Sequence, residues 1–208
     1  MEDVLDLYER PYTTQYPVVC VDERPCQLIG DVVCPLPCEP GRVRKEDSQY
    51  KRNGTCVVFV AVEPLRGFRF LWVRRQRTKK DYAKFMRLLA GLYPRAKQIH
   101  IVQDNLNTHA RGSFYETFPA PTARTLAQRF EFHATPKKAS WLNMAEIELS
   151  VLTKQCLDRR IPTIKQLTTE VKAFEVKRNK CKAKISWRFT TSDARLKMTS
   201  RYKSVITT

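Results

Sequence analysis

Three segments of this 208-residue chain carry acidic side chains that could act together. Asp22 and Asp104 each follow a run of apolar residues typical of a buried strand. Because ligands of open α/β sheets gather at strand ends, we expect both carboxylates to face one cleft. A strongly periodic helix further along the chain carries Glu146 and Glu148, and either residue offers a third carboxylate. The pattern predicts a cluster of acids.

Carboxylates packed into one cleft cannot all stay ionised unless a positive charge compensates them. Hard divalent cations with oxygen ligands supply that charge, and Mg²⁺ is the usual ion of phosphate chemistry. Two such ions about 3.5–4 Å apart can activate a nucleophile and hold the leaving oxygen of an in-line displacement. The predicted chemistry is metal-dependent attack on a phosphate ester. Spacing alone allows an equal alternative, in which Asp22 and Asp104 only cap turns at strand ends.

Helical periodicity does not choose between the two glutamates of that helix. On a helical wheel Glu146 and Glu148 each lie about 80° from the centre of the apolar face. Asn143 and Ser150 form a polar strip beside Glu146 and favour it as the edge of the site. We interpret Glu148, like Glu23, as a solvent-facing or structural acid.

The elements that must position these acids follow from apolar periodicity and from turn residues. The pattern predicts strands at 17–23, 55–62, 67–75, 98–103 and 130–134, and helices at 78–89, within 110–128, at 142–159 and at 163–180. This order is typical of the α/β class, with a mixed sheet flanked by helices. It is also the order of the ribonuclease-H-like fold. Along the chain we expect a lead-in segment at 1–16, a core at 17–160 with a loop excursion at 34–54, and a charged helix and tail at 161–208.

Charge is distributed unevenly along the chain. Of 38 Lys and Arg and 21 Asp and Glu, residues 1–50 hold 5 and 10, so residues 51–208 hold the other 33 and 11. The resulting balance of +22 exceeds the range of about 2–8 that solubility requires. It predicts a polyanionic partner, most often nucleic acid. The basic residues that we expect to contact the DNA backbone are Arg74, Arg75, Arg77, Lys79, Lys80, Lys137 and Lys138.

Membrane and secreted proteins are disfavoured. The longest apolar run, residues 56–62, is far shorter than a membrane span, and the acidic first ten residues lack an apolar signal core. We therefore expect a cytoplasmic protein that makes no contact with a membrane.

At these acids the chain resembles the catalytic half of DDE transposases of the mariner-like superfamily, on the bacterial insertion-sequence branch. The motifs DNLNTH at 104–109 and SWLNMAEIE at 140–148 are the most specific, and matching stretches span nearly the whole chain. The resemblance places the two aspartates of the family on Asp22 and Asp104. It places the glutamate on Glu146, four residues after the Leu of an LNxxE motif.

What the resemblance implies is a ribonuclease-H-like core with two divalent cations, Mg²⁺ or Mn²⁺. The ions would be bridged by Asp22 and completed by Asp104 and Glu146. Such a domain cleaves DNA at transposon ends and joins the freed 3′-hydroxyls to target DNA. The resemblance leaves open whether the protein forms a homodimer. Asn105 and His109 are expected to orient the second Asp or a phosphate, although His109 could equally cap a helix. Trp141 would stack on a splayed base or, as readily, anchor the start of the helix.

The chain departs from the family pattern in two ways. Met1 falls where the catalytic half begins, so we expect no amino-terminal helix-turn-helix region. Lys137, Lys138 and Ala139 stand where relatives have Lys-His-Gly, which adds a phosphate contact and removes a glycine. Two rival functions follow: a catalytically silent DNA-binding remnant, and a ribonuclease-H-type nuclease that acts on RNA–DNA hybrids.

Overall fold

A five-stranded mixed sheet forms the centre of the computed structural model, which describes residues 1–43, 45–106 and 111–199. Its strand order is 3-2-1-4-5. The strands are β1 (Val18–Asp31), β2 (Tyr50–Glu63), β3 (Phe68–Arg74), β4 (Ile99–Gln103) and β5 (Phe130–Ala134). The first three pair antiparallel, whereas β1, β4 and β5 run parallel. The predicted order of strands and helices is confirmed.

Seven α-helices flank this sheet within the described parts of the chain. They are α1 (Glu2–Glu9), α2 (Lys79–Gly91), α3 (Gly112–Thr117), α4 (Ala120–Gln128), α5 (Ala145–Leu152), α6 (Ile164–Lys180) and α7 (Thr191–Lys197). Thr78 caps α2 as predicted, because its hydroxyl accepts from the Asp81 amide while the Asp81 carboxylate accepts from the Thr78 amide. No helix in these described ranges is long and apolar enough to cross a membrane.

The two faces of the sheet bury different helices. On one face Phe59 and Ile101 pack against α2, α3 and α4, where Phe85 and Phe114 are fully buried. On the other face Val58 and neighbouring residues of β2 pack against α5 and α6. Both layers are needed because a sheet with two apolar faces must cover each of them.

The first strand is twice as long as predicted, because it continues past residue 23 to Asp31. Beyond Cys20, β1 no longer pairs with β4, but it stays paired with β2. Pro25 and its charged neighbours are tolerated there since the strand has become an edge, where proline is accepted. In the same way β2 begins at Tyr50, inside the segment predicted as a loop excursion.

Both chain ends are more structured than the terms lead-in and tail suggest. In α1, Val4, Leu5 and Leu7 are almost fully buried. Near the other end, Ile185 joins the same apolar cluster as Val4, and Ala194 of α7 packs with Leu5. The two terminal segments therefore cover one end of the sheet, although their short apolar patterns do not predict a buried core.

Candidate active site

The register of the parallel strands brings Asp22 and Asp104 next to each other. Cys20 of β1 pairs with Val102 of β4, and this is the last pair of the ladder. Asp22 lies two residues after Cys20 within β1, and Asp104 lies two residues after Val102, just beyond the end of β4, so both follow the last pair of the ladder at the same edge of the sheet. Adjacent strands are about 4.8 Å apart. Asp22 thus lies within a strand rather than at its end, which corrects the prediction, but it lies at the point where β4 stops.

Asn143 links this pair to the third acid. Its Nδ2 atom donates to the Val21 carbonyl oxygen at 2.9 Å and lies 3.5 Å from Oδ2 of Asp22. Its Oδ1 atom accepts from the Ala145 amide at 3.1 Å, at the first residue of α5. The side chain is 1% exposed, so these bonds form in a protected environment. Asn143 therefore connects β1 directly to the helix that carries Glu146.

The same asparagine explains why the predicted helix 142–159 is shorter in the structure. Residues Ser140–Leu142 form a 3₁₀ turn, α5 spans Ala145–Leu152, and Thr153–Leu157 form a π-helical turn. A side chain that bonds to backbone groups next to it competes with regular helix, as Asn143 does here. Glu146 consequently lies in the first turn of α5, where the helix dipole favours negative charge.

The charges of the three acids act on one another. Burial raises the pKa of Asp22 to about 7, the Glu23 amide hydrogen bond opposes that rise, and the negative charges of Glu146 and Asp104 add to it. Asp104 is partly buried and Glu146 is exposed. The structure thus brings Asp104 and Glu146 within electrostatic reach of Asp22, and their joint role as metal ligands stays a prediction.

Glu148 faces a different environment from Glu146. It is fully buried, with its carboxylate 2.9 Å from Nη2 of Arg69 and held by both Nε and Nη2 of Arg178 at 3.0 and 2.9 Å. Burial raises its pKa, but the hydrogen bonds from Arg178 and Arg69 outweigh that effect and hold the pKa below its usual range. Glu148 is a structural acid, as predicted, but it is not solvent-facing. Arg178 of α6 is its partner.

The predicted DNA contacts fall into two groups. Arg74, Arg77 and Lys79 form ion pairs with Asp81, Glu23 and Glu116 at 2.9, 3.8 and 2.6 Å. Glu23, the partner of Arg77, is buried rather than solvent-facing. The other group is exposed and consists of Arg75, Lys80, Lys137 and Lys138. Exposed cations that form no ion pair with a carboxylate of the described residues are better placed to contact phosphate, and their contacts with DNA stay predictions.

The remaining predicted residues are placed as follows. Asn105 is exposed, and its Nδ2 donates to the Thr135 carbonyl oxygen at 3.2 Å, so it ties the end of β4 to the loop after β5. His109 lies outside the described residues. Trp141 is 42% exposed and stacks on Trp187 with ring centroids 6.2 Å apart. That contact agrees with the anchoring interpretation, while stacking on a base remains a prediction.

The loop before α5 does not need the glycine that relatives carry. Ala139 has φ −127° and is 9% exposed, packed with Leu5 and Leu142. The left-handed residue of this loop is instead Lys138, with φ 63°. The replacement of glycine therefore places a small apolar residue where it contributes to the core.

Comparison with known proteins identifies the family. The sequence profile described as DDE superfamily endonuclease matches residues 17–168, most of the chain. The chain belongs to the DDE superfamily of endonucleases. The matched range contains all three acids of the site and both strands of the parallel pair. No curated protein matches this DDE endonuclease domain in sequence.

Two solved structures resemble the DDE endonuclease domain in fold. The Mos1 mariner paired end complex with Mn has a TM-score of 0.55 and 15% sequence identity, covering 85% of this chain and 52% of that one. The Mos1 strand transfer complex has the same TM-score and identity, covering 84% and 51%. At this identity the likeness shows the fold, which confirms the ribonuclease-H-like prediction. The chain spans about half the length of those proteins.

Proposed function

We propose that this DDE endonuclease domain uses Asp22, Asp104 and Glu146 to bind divalent metal ions and cleaves DNA strands with them. The observation that carries the proposal is the parallel register that sets Asp22 beside Asp104, with Asn143 joining them to the helix of Glu146. Burial, and after it the negative charges of Glu146 and Asp104, raise the pKa of Asp22, and a cation would stabilise its ionised form. Three carboxylates also match the oxygen ligands that Mg²⁺ and Mn²⁺ prefer.

The proposal of two ions rather than one rests on the family resemblance. On that pattern Asp22 would be shared between two ions, one completed by Asp104 and the other by Glu146. When bound, such ions supply an activated nucleophile and a partner for the leaving oxygen.

Several residues of the domain would have separate roles in cleavage. Asn143 contacts the Asp22 carboxylate and bonds to the amide of the first residue of α5. Asp22 must lose its proton before it can act as a ligand, and a pKa near 7 keeps that step accessible at neutral pH. Lys137 and Lys138, exposed in the loop before α5, would hold phosphates beside the scissile bond as point charges. Arg75 and Lys80 would extend this contact along the DNA backbone.

The substrate that we propose is the end of a transposon, with target DNA as the acceptor of the freed 3′-hydroxyl. The fold shared with the Mos1 mariner complexes supports this choice. The insertion-sequence branch, the homodimer and a bacterial cytoplasmic location stay predictions from the resemblance.

Metal-dependent nicking of supercoiled DNA tests the proposal. The intact domain should nick plasmid DNA in Mg²⁺ or Mn²⁺, and Asp22→Asn, Asp104→Asn and Glu146→Gln should each abolish nicking. Asp158→Asn and Glu39→Gln, at exposed acids outside the site, serve as matched controls that should retain it. A domain that binds DNA but never nicks it would be a silent remnant. Faster cleavage of an RNA–DNA hybrid than of duplex DNA would favour the ribonuclease.

A further inference from the structure

A second group of potential metal ligands lies away from the three acids. His100 of β4 pairs with Glu131 of β5, and Val102 pairs with His133, so both histidines and the glutamate project from the same face of two parallel strands. His100 precedes Asp104 by four residues, which corresponds to about 13 Å along a strand. The histidines are 5% exposed each, and the Glu131 side chain is 43% exposed. The group is therefore separate from the candidate active site.

The ligand atoms lie within a few tenths of an ångström of the separations around a small tetrahedral ion. Nδ1 of His100 lies 3.0 Å from Nε2 of His133 and 3.5 Å from Oε2 of Glu131. Nε2 of His133 lies 3.8 Å from Oε1 of Glu131. Zinc bound at about 2.0–2.2 Å has ligand atoms about 3.3–3.6 Å apart. Among the described residues, this is the one group of three such side chains whose ligand atoms all lie within 4.8 Å.

A carboxylate from another element orients one of the histidines. Nδ1 of His133 lies 2.8 Å from Oδ2 of Asp3 in α1. Because a carboxylate accepts hydrogen bonds, Nδ1 carries the proton, and the lone pair of Nε2 points toward His100. Metal-binding histidines commonly have their second nitrogen held by a carboxylate in this way. Burial lowers the pKa of His100, and Glu131 opposes that effect.

The group is also accessible from solvent. His100 lines a cavity of about 450 Å³ together with Tyr12, Tyr16 and Glu63. The Glu131 side chain is half-exposed. The cavity at His100 and the exposed carboxylate of Glu131 each give an ion a route to the group.

We propose that His100, His133 and Glu131 bind a zinc-type transition-metal ion, with Asp3 as the partner that orients His133. Two imidazoles and one carboxylate suit Zn²⁺ and Co²⁺ and are a poor site for Mg²⁺. The ion would join β4 to β5 and, through Asp3, hold α1 against the sheet. The neutral His100 ring binds through Nδ1 once its proton moves to Nε2, so no net proton is released there. The role is structural and separate from phosphodiester cleavage.

Titration with Co²⁺ tests this site, because tetrahedral Co²⁺ has a strong visible absorption. The full chain is used in excess Mg²⁺, which occupies oxygen sites, and with Cys34→Ser, Cys38→Ser and Cys181→Ser to remove the exposed thiols. One equivalent of Co²⁺ should give tetrahedral absorption, and Zn²⁺ should displace it. His100→Gln and Glu131→Gln should abolish the absorption, and Glu39→Gln should leave it unchanged. Asp3→Asn should weaken binding about 10–100-fold.

Glu131→Gln is the decisive variant because this half-exposed side chain can be replaced without opening the core. Circular dichroism verifies that each variant folds. Absence of tetrahedral absorption in the intact chain would overturn the proposal. So would a Glu131→Gln variant that folds and still binds Co²⁺ tetrahedrally. In either case the group is a chain of hydrogen bonds from His100 through His133 to Asp3, and nothing more.

Discussion

The amide nitrogen of Asn143 lies 3.5 Å from a carboxylate oxygen of Asp22, although 121 residues separate the two in sequence. The same side chain bonds to Val21 and to the first residue of α5. A single asparagine thus sets the distance between the strand that carries one acid and the helix that carries another.

Replacement of Asn143 by alanine should disturb both stability and metal binding. The variant leaves the Val21 carbonyl and the Ala145 amide without this partner, and each lost buried hydrogen bond costs about 1 kcal/mol or more. We expect unfolding free energy to fall by about 2–3 kcal/mol in urea titrations. Mn²⁺ affinity, measured by calorimetry, should weaken because Asp22 loses its orientation. Asn53→Ala, at an exposed asparagine with one hydrogen bond, is the matched control. Unchanged Mn²⁺ affinity in Asn143→Ala would show that this residue does not position Asp22.

Metal affinity should depend on pH through Asp22. Because the pKa of this carboxyl is about 7, protons compete with the ion below that pH. The Mn²⁺ dissociation constant should therefore rise about tenfold per unit as pH falls below 7, and level off above it. Calorimetry in buffers of different ionisation enthalpy counts the released proton. A flat profile between pH 5 and pH 8 would contradict the assignment.

Stability without metal should show the opposite trend. The folded pKa of Asp22, about 7, is higher than the 3.8 of an unperturbed aspartate, so the folded state binds the proton more tightly. The Asp22 contribution to stability is therefore greatest below the unfolded pKa and is lost as pH rises through 7. Urea unfolding at pH 5 and at pH 8 in a chelator should reveal the loss. It should be smaller in Asp22→Asn, which does not titrate, and an equal loss in both proteins would exclude Asp22 as its source.

The two glutamates of α5 should respond differently to the same substitution. Glu148→Gln leaves the buried Arg69 and the Arg178 guanidinium without their carboxylate, and breaking a buried ion pair costs about 3–5 kcal/mol. Glu146→Gln, at an exposed position, should change stability by less than about 0.5 kcal/mol while it abolishes nicking. Thermal melts and the plasmid assay separate the two effects. Equal stability of both variants would refute the structural role of Glu148.

The loop lysines should govern how DNA binding depends on salt. Replacing Lys137 and Lys138 together by alanine should weaken binding about tenfold and reduce the log–log salt slope by about two units. Lys165→Ala with Lys177→Ala on α6, which packs at the β3 edge of the sheet, is the control pair and should have a smaller effect. Fluorescence anisotropy with labelled duplex at several salt concentrations gives both quantities. An unaltered slope in the loop variant would mean that these lysines face away from DNA.

The sequence by itself determined the order of the strands and helices, the position of Asp104 after β4 and the long helix near the carboxyl end. Runs of apolar residues and their period record which side of a segment is buried, and this information is local. The family motif then selected Glu146 where the period alone left two glutamates open.

Only the tertiary structure decided how far β1 extends, which glutamate of α5 is buried and how the two ends of the chain pack. Asp22 owes its place to the register between β1 and β4, and Glu148 owes its burial to Arg69 and Arg178, which lie far away in the chain. Likewise α1 and α7 are held by each other and by the sheet. Such contacts join residues distant in sequence, so no local pattern records them, and they exist only once the chain has folded.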